Sequence, residues 1–100
     1  GKILDVIVDL RKKSPTFGKY KKFILSSQNK RQIYIPEGFG HGYLTLSKTA
    51  KVVYFCSENY HKSSEITLNV FDKQINILWG LNQPPKISKK DKIGIGLMDY

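Results

Sequence analysis

The chain begins with an alternation of apolar and more polar positions. Apolar side chains occupy every second position from Leu4 to Leu10, and Asp5 and Asp9 lie between them. A two-residue repeat is typical of a β-strand whose two faces differ, so the pattern predicts a strand over residues 3–10. Further runs rich in β-branched and aromatic residues predict strands at 20–26, 31–35, 43–47, 51–57, 66–70 and 75–79.

The segments between these runs carry residues that favour turns. Residues 36–42 contain a proline and three glycines, which predicts a turn of special backbone geometry. No segment has the 3.6-residue repeat of an amphipathic helix. Helix is therefore predicted only over about one turn at residues 88–92, where Ser88 and Asp91 form a capping box. Strands about ten residues apart are typical of a sandwich or closed barrel, so we expect one all-β domain.

The chain is strongly basic. Its net charge is +9, from 17 lysine and arginine residues against 8 aspartate and glutamate residues. Such a charge attracts nucleic acid, an anionic membrane or a phosphorylated ligand, and does not by itself choose among them. The basic residues fall in short groups at predicted turns, which favours a solvated lysine-rich surface over a nucleic-acid footprint. No apolar run approaches the ~20 residues of a membrane span, so no membrane partner is expected.

Candidate reactive groups are few. Cys56 is the only cysteine, which excludes an intrachain disulfide and fits a reducing compartment. Its place in a predicted strand favours packing as a small hydrophobic residue. His41 and His61 are the only histidines, whereas a metal site in a β-barrel draws several histidines and a glutamate from adjacent strands. We therefore expect no bound metal, and phosphate-loop, dinucleotide and serine-nucleophile motifs are absent.

Several motifs occur in a fixed order along the chain. They are Asp-Val-Ile-Val-Asp-Leu-Arg at 5–11, Ser-Pro-Thr-Phe-Gly-Lys-Tyr at 14–20, Ile-Pro-Glu-Gly-Phe-Gly-His-Gly-Tyr at 35–43, Tyr54, and Ser-Lys-Lys-Asp at 88–91. Together they resemble the dTDP-4-dehydrorhamnose 3,5-epimerase family, which are cupin-fold isomerases of dTDP-4-keto-6-deoxy sugars. The resemblance implies a cupin-type jelly-roll barrel over residues 1–100. It matches the C-terminal part of the family's chain, so we expect the family's N-terminal segment to be lacking.

The resemblance also implies roles for individual residues. In the family, a base removes a proton from C3 or C5 of the sugar, and an acid on the opposite face returns one. The acid matches Tyr54. The base is a histidine that pairs with an aspartate, and the aspartate matches Asp91. His41 matches a histidine that lines the sugar pocket, and Tyr60 matches an aromatic residue that stacks on the nucleotide base. No organic cofactor is implied.

The chain departs from the family's pattern at three places. The upstream Arg-Gly-x-His motif that carries the base is absent from these 100 residues, as is a lysine that steadies the enolate. Phe55 follows Tyr54 where the family usually has lysine, which leaves open whether C3, C5 or both are inverted. The family's Asp-Tyr-Tyr is Glu58-Asn59-Tyr60 here, which retains one stacking ring.

The sequence therefore favours a cytoplasmic, homodimeric nucleotide-sugar epimerase with a dTDP-sugar substrate. One alternative is a non-catalytic cupin-like module that binds nucleotide sugars, which the missing base would favour. Another is a basic β-barrel that binds nucleic acid, but the clustered exposed aromatic residues that it would need are not evident. Taken without the resemblance, Tyr54 would be a packing residue inside the barrel, and Asp91 a solvated charge or part of a helix cap.

Overall fold

The computed structural model describes residues 1–56 and 65–100. Their regular elements are β1 (Lys2–Asp9), β2 (Tyr20–Ser26), β3 (Phe39–Thr45), α1 (Lys89–Lys92) and a 3₁₀ turn (Leu97–Asp99). The strands form one antiparallel sheet in the order β2-β1-β3. The chain divides into two compact units, Gly1–Lys51 and Val52–Tyr100, which are described separately. A single domain over residues 1–100 stays a prediction.

The central strand β1 is buried on both faces. Its side chains alternate between the faces, so Ile3, Asp5 and Asp9 share one face while Val6 and Val8 share the other. All five are almost fully buried, with Val6 only 1% exposed. A central strand has neighbours on both edges as well, which explains why β1 is the most buried element of its unit. The strands predicted at residues 3–10 and 20–26 are thereby confirmed.

A hydrogen-bonded cluster around Asp9 holds the connection between β1 and β2. Arg11 donates from Nε to Asp9 Oδ1 and from Nη2 to Oδ2, both at 3.0 Å. The hydroxyls of Ser14 and Thr16 also donate to Oδ2, and the Arg11 guanidinium lies 4.8 Å above the centre of the Phe39 ring. Hydrogen bonds from Arg11, then from the hydroxyls, hold the pKa of Asp9 well below its usual range. The cluster thus joins the end of β1, the following loop and the start of β3.

The glycine-rich turn predicted at residues 36–42 is wrong in its extent. Only residues 37 and 38 form a turn, and Gly38 has the positive φ of 91° that favours glycine. Gly40 has no positive φ and belongs to β3. A Cβ at Gly40 would lie 2.8 Å from Leu10 Cδ1, so glycine at this position makes room for a side chain rather than bending the backbone. The strand predicted at 43–47 consequently begins earlier, at Phe39.

Other predicted strands are not formed. Residues 31–35 and 75–79 have no strand, and neither do residues 51–56 of the strand predicted at 51–57, whose last residue lies outside the described residues. The run at 66–70 makes only one isolated parallel bridge, between Leu68 and Ile95. An apolar run indicates which side chains are buried, but a strand also needs a neighbouring backbone edge for its hydrogen bonds, and that is a non-local property. Cys56 lies at the end of one such run and is exposed, so the prediction that it packs is wrong.

The second unit contains the one predicted helical turn, which is confirmed. Ser88 caps α1, and its hydroxyl accepts a hydrogen bond from the Asp91 backbone N–H at 3.2 Å. Elsewhere in this unit, the Asp72 carboxylate accepts backbone N–H groups from Ile75 at 3.0 Å and from Leu97 at 3.3 Å. Both of these hydrophobic residues are buried. Within the described part of the chain, no helix is long and apolar enough to cross a membrane.

Candidate functional site

Strand β3 places two ring side chains next to each other on one face of the sheet. His41 and Tyr43 are two residues apart in β3, and alternate residues of a strand point to the same face. Their ring centroids are 6.2 Å apart, with planes inclined by 35°. Across the sheet, Ile7 pairs with His41 and Asp5 with Tyr43. An imidazole, a phenol and a carboxylate therefore occupy neighbouring positions on this face.

His41 contacts a buried carboxylate, that of Asp5. His41 Nε2 lies 2.6 Å from Asp5 Oδ1, which is the diagonal contact between neighbouring strands. The pair has the distance of an ion pair but not the direction of a straight hydrogen bond, and Oδ1 has no other described partner. The Asp5 side chain is 6% exposed and that of His41 is 33% exposed. The imidazole therefore connects a buried carboxylate with the surface of its unit.

Burial and charge act on Asp5 in opposite directions. Removal of the carboxylate from water raises the pKa of Asp5, because the charged form loses hydration. The neighbouring His41 and a backbone hydrogen bond from Val6 lower it and offset part of this effect. Such a buried carboxylate beside an imidazole is suited to orienting the ring and to stabilising positive charge on it.

Tyr54 lies in the other unit, in a segment without regular secondary structure. Its residue surface is 75% exposed, and its neighbours Val53 and Phe55 are 73% and 95% exposed. Tyr54 is therefore not a packed interior residue of its unit. An accessible phenol can donate its O–H to a ligand, but its role as the acid stays a prediction.

Asp91 lies within α1, in the same unit as Tyr54. Its backbone N–H completes the helix cap with Ser88. The preceding residue, Lys90, forms an ion pair with Glu65, and both line an open cavity of about 290 Å³. No hydrogen bond or ion pair joins Asp91 to Tyr54 among the described residues. The pairing of Asp91 with a histidine stays a prediction.

Tyr60 and His61 lie outside the described residues, so the proposed stacking role of Tyr60 stays a prediction. Over residues 1–56 and 65–100, no group of three or more histidine, cysteine, aspartate or glutamate side chains is arranged to hold a metal ion. His41 is the one histidine among the described residues, and the carboxylate close to it is that of Asp5.

Asp5 did not emerge as a site residue from the sequence pattern, although one signal points to it. Asp5 is an acidic residue on the strand face that also carries the apolar residues Ile3 and Ile7. Carboxylates are almost never fully buried without a partner. A charged residue on a buried strand face therefore indicates a partner on a neighbouring strand, but only the register shows that this partner is His41.

Solved structures with the same backbone arrangement define the class. An epimerase from Mycobacterium tuberculosis matches 99% of this chain with a TM-score of 0.96 at 36% sequence identity, and this chain covers 50% of it. A dTDP-6-deoxy-D-glucose-3,5-epimerase from Legionella pneumophila, solved in complex with dTDP-4-keto-L-rhamnose, matches 98% of this chain with a TM-score of 0.87 at 38% identity, with 52% of it covered. The fold is that of a cupin-type jelly-roll epimerase, β-rich with very little helix.

The sequence comparisons identify the family. The chain belongs to the dTDP-4-dehydrorhamnose 3,5-epimerase family, whose model matches residues 1–99. The dTDP-4-dehydrorhamnose 3,5-epimerase of Shigella flexneri is 48% identical over 99 residues, which are 99% of this chain and 54% of the relative. The chain thus spans about half the length of the curated relatives that it matches. The resemblance found in the sequence motifs is confirmed.

Proposed function

We propose that this chain provides part of the active site of a nucleotide-sugar epimerase. The substrate is a dTDP-4-keto-6-deoxyhexose, and the reaction inverts C3, C5 or both, as in the synthesis of dTDP-rhamnose-type sugars. The observation that carries the proposal is the match over 98% of the chain to an enzyme solved with dTDP-4-keto-L-rhamnose. The match covers 52% of that enzyme, so the activity is proposed for this chain together with the family's remaining part.

The chemistry of the substrate explains which groups the site needs. A ketone at C4 acidifies the protons on C3 and C5, so a base on one face of the sugar can remove one of them. The electron pair moves onto the ketone oxygen and forms an enolate, which positive charge or hydrogen-bond donors stabilise. An acid on the opposite face then returns a proton to the carbon and inverts the centre.

We assign these roles among the residues of the chain. Tyr54 returns the proton, because a phenol carries a transferable proton at neutral pH and its ring is accessible. His41 contacts the sugar, Tyr60 stacks on the thymine, and Asp91 pairs with the histidine base of the family's other half. A homodimer in the cytoplasm, with no cofactor, completes the proposal.

A chimaera with a relative tests the proposed activity. The N-terminal half of the Shigella flexneri relative is joined before Gly1, and the chimaera is incubated in D₂O with dTDP-4-keto-6-deoxyglucose. NMR then measures deuterium at C3 and C5. We expect incorporation at one or both centres with the chimaera, and none above the no-protein control with the 100-residue chain, which has no Arg-Gly-x-His motif. A folded chimaera that binds dTDP but exchanges no proton would contradict the assignment as an epimerase.

A second candidate function is a non-catalytic module that binds nucleotide sugars. Loss of the base histidine from the whole protein would favour it, because the site could then bind the sugar but not remove its proton. The module would bind dTDP and the dTDP-sugar, but the whole protein as the gene encodes it would not exchange C3 or C5 protons. Applied to that protein, the deuterium experiment separates the two candidates.

A further inference from the structure

Strand β2 places a lysine on the sheet face that carries His41. Ile7 of the central strand pairs with Lys21 on one side and with His41 on the other. Residues directly opposite each other in an antiparallel sheet point to the same face. Lys21, Ile7 and His41 therefore form one row across the three strands, and Tyr43 lies in the next row of that face. A cation and an imidazole thus stand at the two ends of a row whose centre is apolar.

The ammonium group of Lys21 is not used by the fold. Lys21 is exposed, and over residues 1–56 and 65–100 its side chain takes part in no ion pair or hydrogen bond. The two carboxylates of β1 on this face are buried, and each has another charged or ionisable partner: Arg11 for Asp9, and His41 for Asp5. Lys21 is therefore available to an anion that approaches this face from outside.

The spacing of the row suits a sugar that carries a phosphate group. Directly opposite side chains have Cβ atoms about 5 Å apart, so the Cβ atoms of Lys21 and His41 are about 10 Å apart. The flexible four-carbon stem of lysine lets its ammonium group reach over Ile7, and lysine binds phosphate as a point charge. The His41 side chain is 33% exposed. A hexose in contact with His41 can therefore place the phosphate on its anomeric carbon beside the Lys21 ammonium.

The charge of this unit also favours an anionic ligand. Residues 1–51 contain eleven lysine and arginine residues and three acidic residues, and two of those three are buried. Such a surface raises the local concentration of anions in general. Position on the sheet distinguishes one lysine from the rest: β2 contains Lys21 and Lys22, and Lys22 pairs with Val6 on the opposite face. Lys22 is therefore a matched control of equal charge.

We propose that Lys21 binds the diphosphate of the dTDP-sugar, with its ammonium group on a phosphate oxygen while His41 contacts the hexose. The proposal rests on the proposed function, which supplies the substrate and the role of His41. Lys21 transfers no proton in the reaction. Its interaction is made equally with the bound substrate and with the transition state, so it lowers KM and leaves kcat unchanged.

The first arm of the test uses inorganic pyrophosphate as the probe and needs no catalysis. The 100-residue chain is titrated at physiological ionic strength, and NMR follows the side-chain signals of Lys21. We expect a saturable shift, with a Kd that Lys21→Met raises by about 10-fold, the lower end of what a hydrogen bond to a charged group contributes. Lys22→Met should keep the native Kd. A native chain without a saturable shift, or equal weakening in both variants, would overturn the proposal.

The second arm measures steady-state epimerisation of dTDP-4-keto-6-deoxyglucose by the chimaera. We expect Lys21→Met to raise KM by about 10-fold at a nearly native kcat. Lys21→Arg should recover most of the loss because it restores the positive charge, and Lys22→Met should behave as the native chimaera. Thermal unfolding of each variant monitors the fold.

Three results of the second arm decide against one part or another. Native KM and kcat in Lys21→Met would overturn the contact with substrate. A lower kcat at native KM would place Lys21 at the enolate and overturn its assignment to the diphosphate. A native chimaera that exchanges no C3 or C5 proton, while the chain binds pyrophosphate through Lys21, would instead refute the proposed function and leave the anion site intact.

Discussion

Asp5 and Asp9 lie four residues apart on β1, and their surroundings move their pKa values in opposite directions. The pKa of Asp9 is lowered by folding, so its contribution to stability is present above the ordinary aspartate pKa of ~3.9. This contribution is lost as pH falls through the folded-state pKa. The pKa of Asp5 is raised by folding, so its contribution to stability is present below the ordinary aspartate pKa and is lost as pH rises through the folded-state pKa. The same residue type on one strand thus gives opposite pH dependences.

We predict that this contrast is visible in the free energy of unfolding. Urea titrations between pH 2.5 and 6 compare the native chain with Asp5→Asn and with Asp9→Asn, each variant serving as the control for the other. The stability advantage of the native chain over Asp9→Asn should grow as pH rises through this range, because the unfolded chain keeps the Asp9 proton to a higher pH than the folded chain does. The difference from Asp5→Asn should move the other way. Slopes of the same sign would contradict the two pKa directions.

Tyr54 carries the prediction that concerns catalysis most directly. Tyr54→Phe removes only the hydroxyl, so the chimaera should still bind dTDP-sugar while kcat falls by about 10²-fold to 10⁴-fold, the usual contribution of a general acid. Steady-state assays of product formation measure the loss. Tyr34→Phe is the control, since Tyr34 is also a highly exposed tyrosine, at 87%, and belongs to none of the matched motifs. Unchanged turnover in Tyr54→Phe would leave the phenol without a catalytic role.

At the scale of elements, Gly94 marks a close approach between two stretches of backbone. A Cβ at Gly94 would lie 2.6 Å from the Leu68 carbonyl carbon and 2.7 Å from the Asn69 nitrogen, next to the bridge between Leu68 and Ile95. We expect Gly94→Ala to lower the free energy of unfolding by about 1–3 kcal/mol, the usual cost of overpacking. Gly40→Ala is the control, because its Cβ meets the flexible end of Leu10, and urea titration should show the smaller loss there.

The helical turn α1 depends on its cap. Four residues are too few for a helix to persist by propensity alone. We expect Ser88→Ala to cost about 1 kcal/mol of stability by leaving the Asp91 N–H without its acceptor. Ser88→Thr keeps a hydroxyl and should retain most of the stability. Urea titration gives both values, and hydrogen exchange at the Asp91 amide reports the local effect. Equal protection of that amide in both variants would contradict the role of the cap.

At the scale of the whole molecule, ligand specificity separates a nucleotide site from a merely basic surface. We expect dTDP to raise the thermal unfolding temperature of the chain by mass action on the folded state, and Tyr60→Ala to abolish most of this shift. Stacking of a base on an aromatic ring contributes about 1–3 kcal/mol. Tyr34→Ala is the control.

Single-stranded DNA and inorganic polyphosphate complete this experiment. A surface that binds by charge alone would respond to both as strongly as to dTDP, and the response would fall steeply with added salt. The net charge of +9 favours such charge-driven binding, so these two ligands are needed as controls. Equal responses to all three ligands, unaffected by Tyr60→Ala, would contradict a thymine-stacking site.

The sequence by itself determined the structural features that depend on local interactions. The two-residue alternation determined β1 and β2, and the spacing of Ser88 and Asp91 determined the capped turn, because each depends on near neighbours in the chain. The ordered motifs were also sufficient to identify the family. The roles of Tyr54, Asp91, His41 and Tyr60 remain predictions, since their chemistry depends on a substrate and on partners that the pattern does not contain.

Only the tertiary structure decided the features that depend on strand register. Asp5 meets His41 because β1 and β3, which are far apart in sequence, pair with Asp5 opposite Tyr43. The residues after Gly38 form a strand rather than a turn because β1 provides their hydrogen-bonding edge and Leu10 occupies the space beside Gly40. A shift of one residue in pairing would send every side chain to the opposite face. The alternation along a single strand contains no information about which partner residue lies across it.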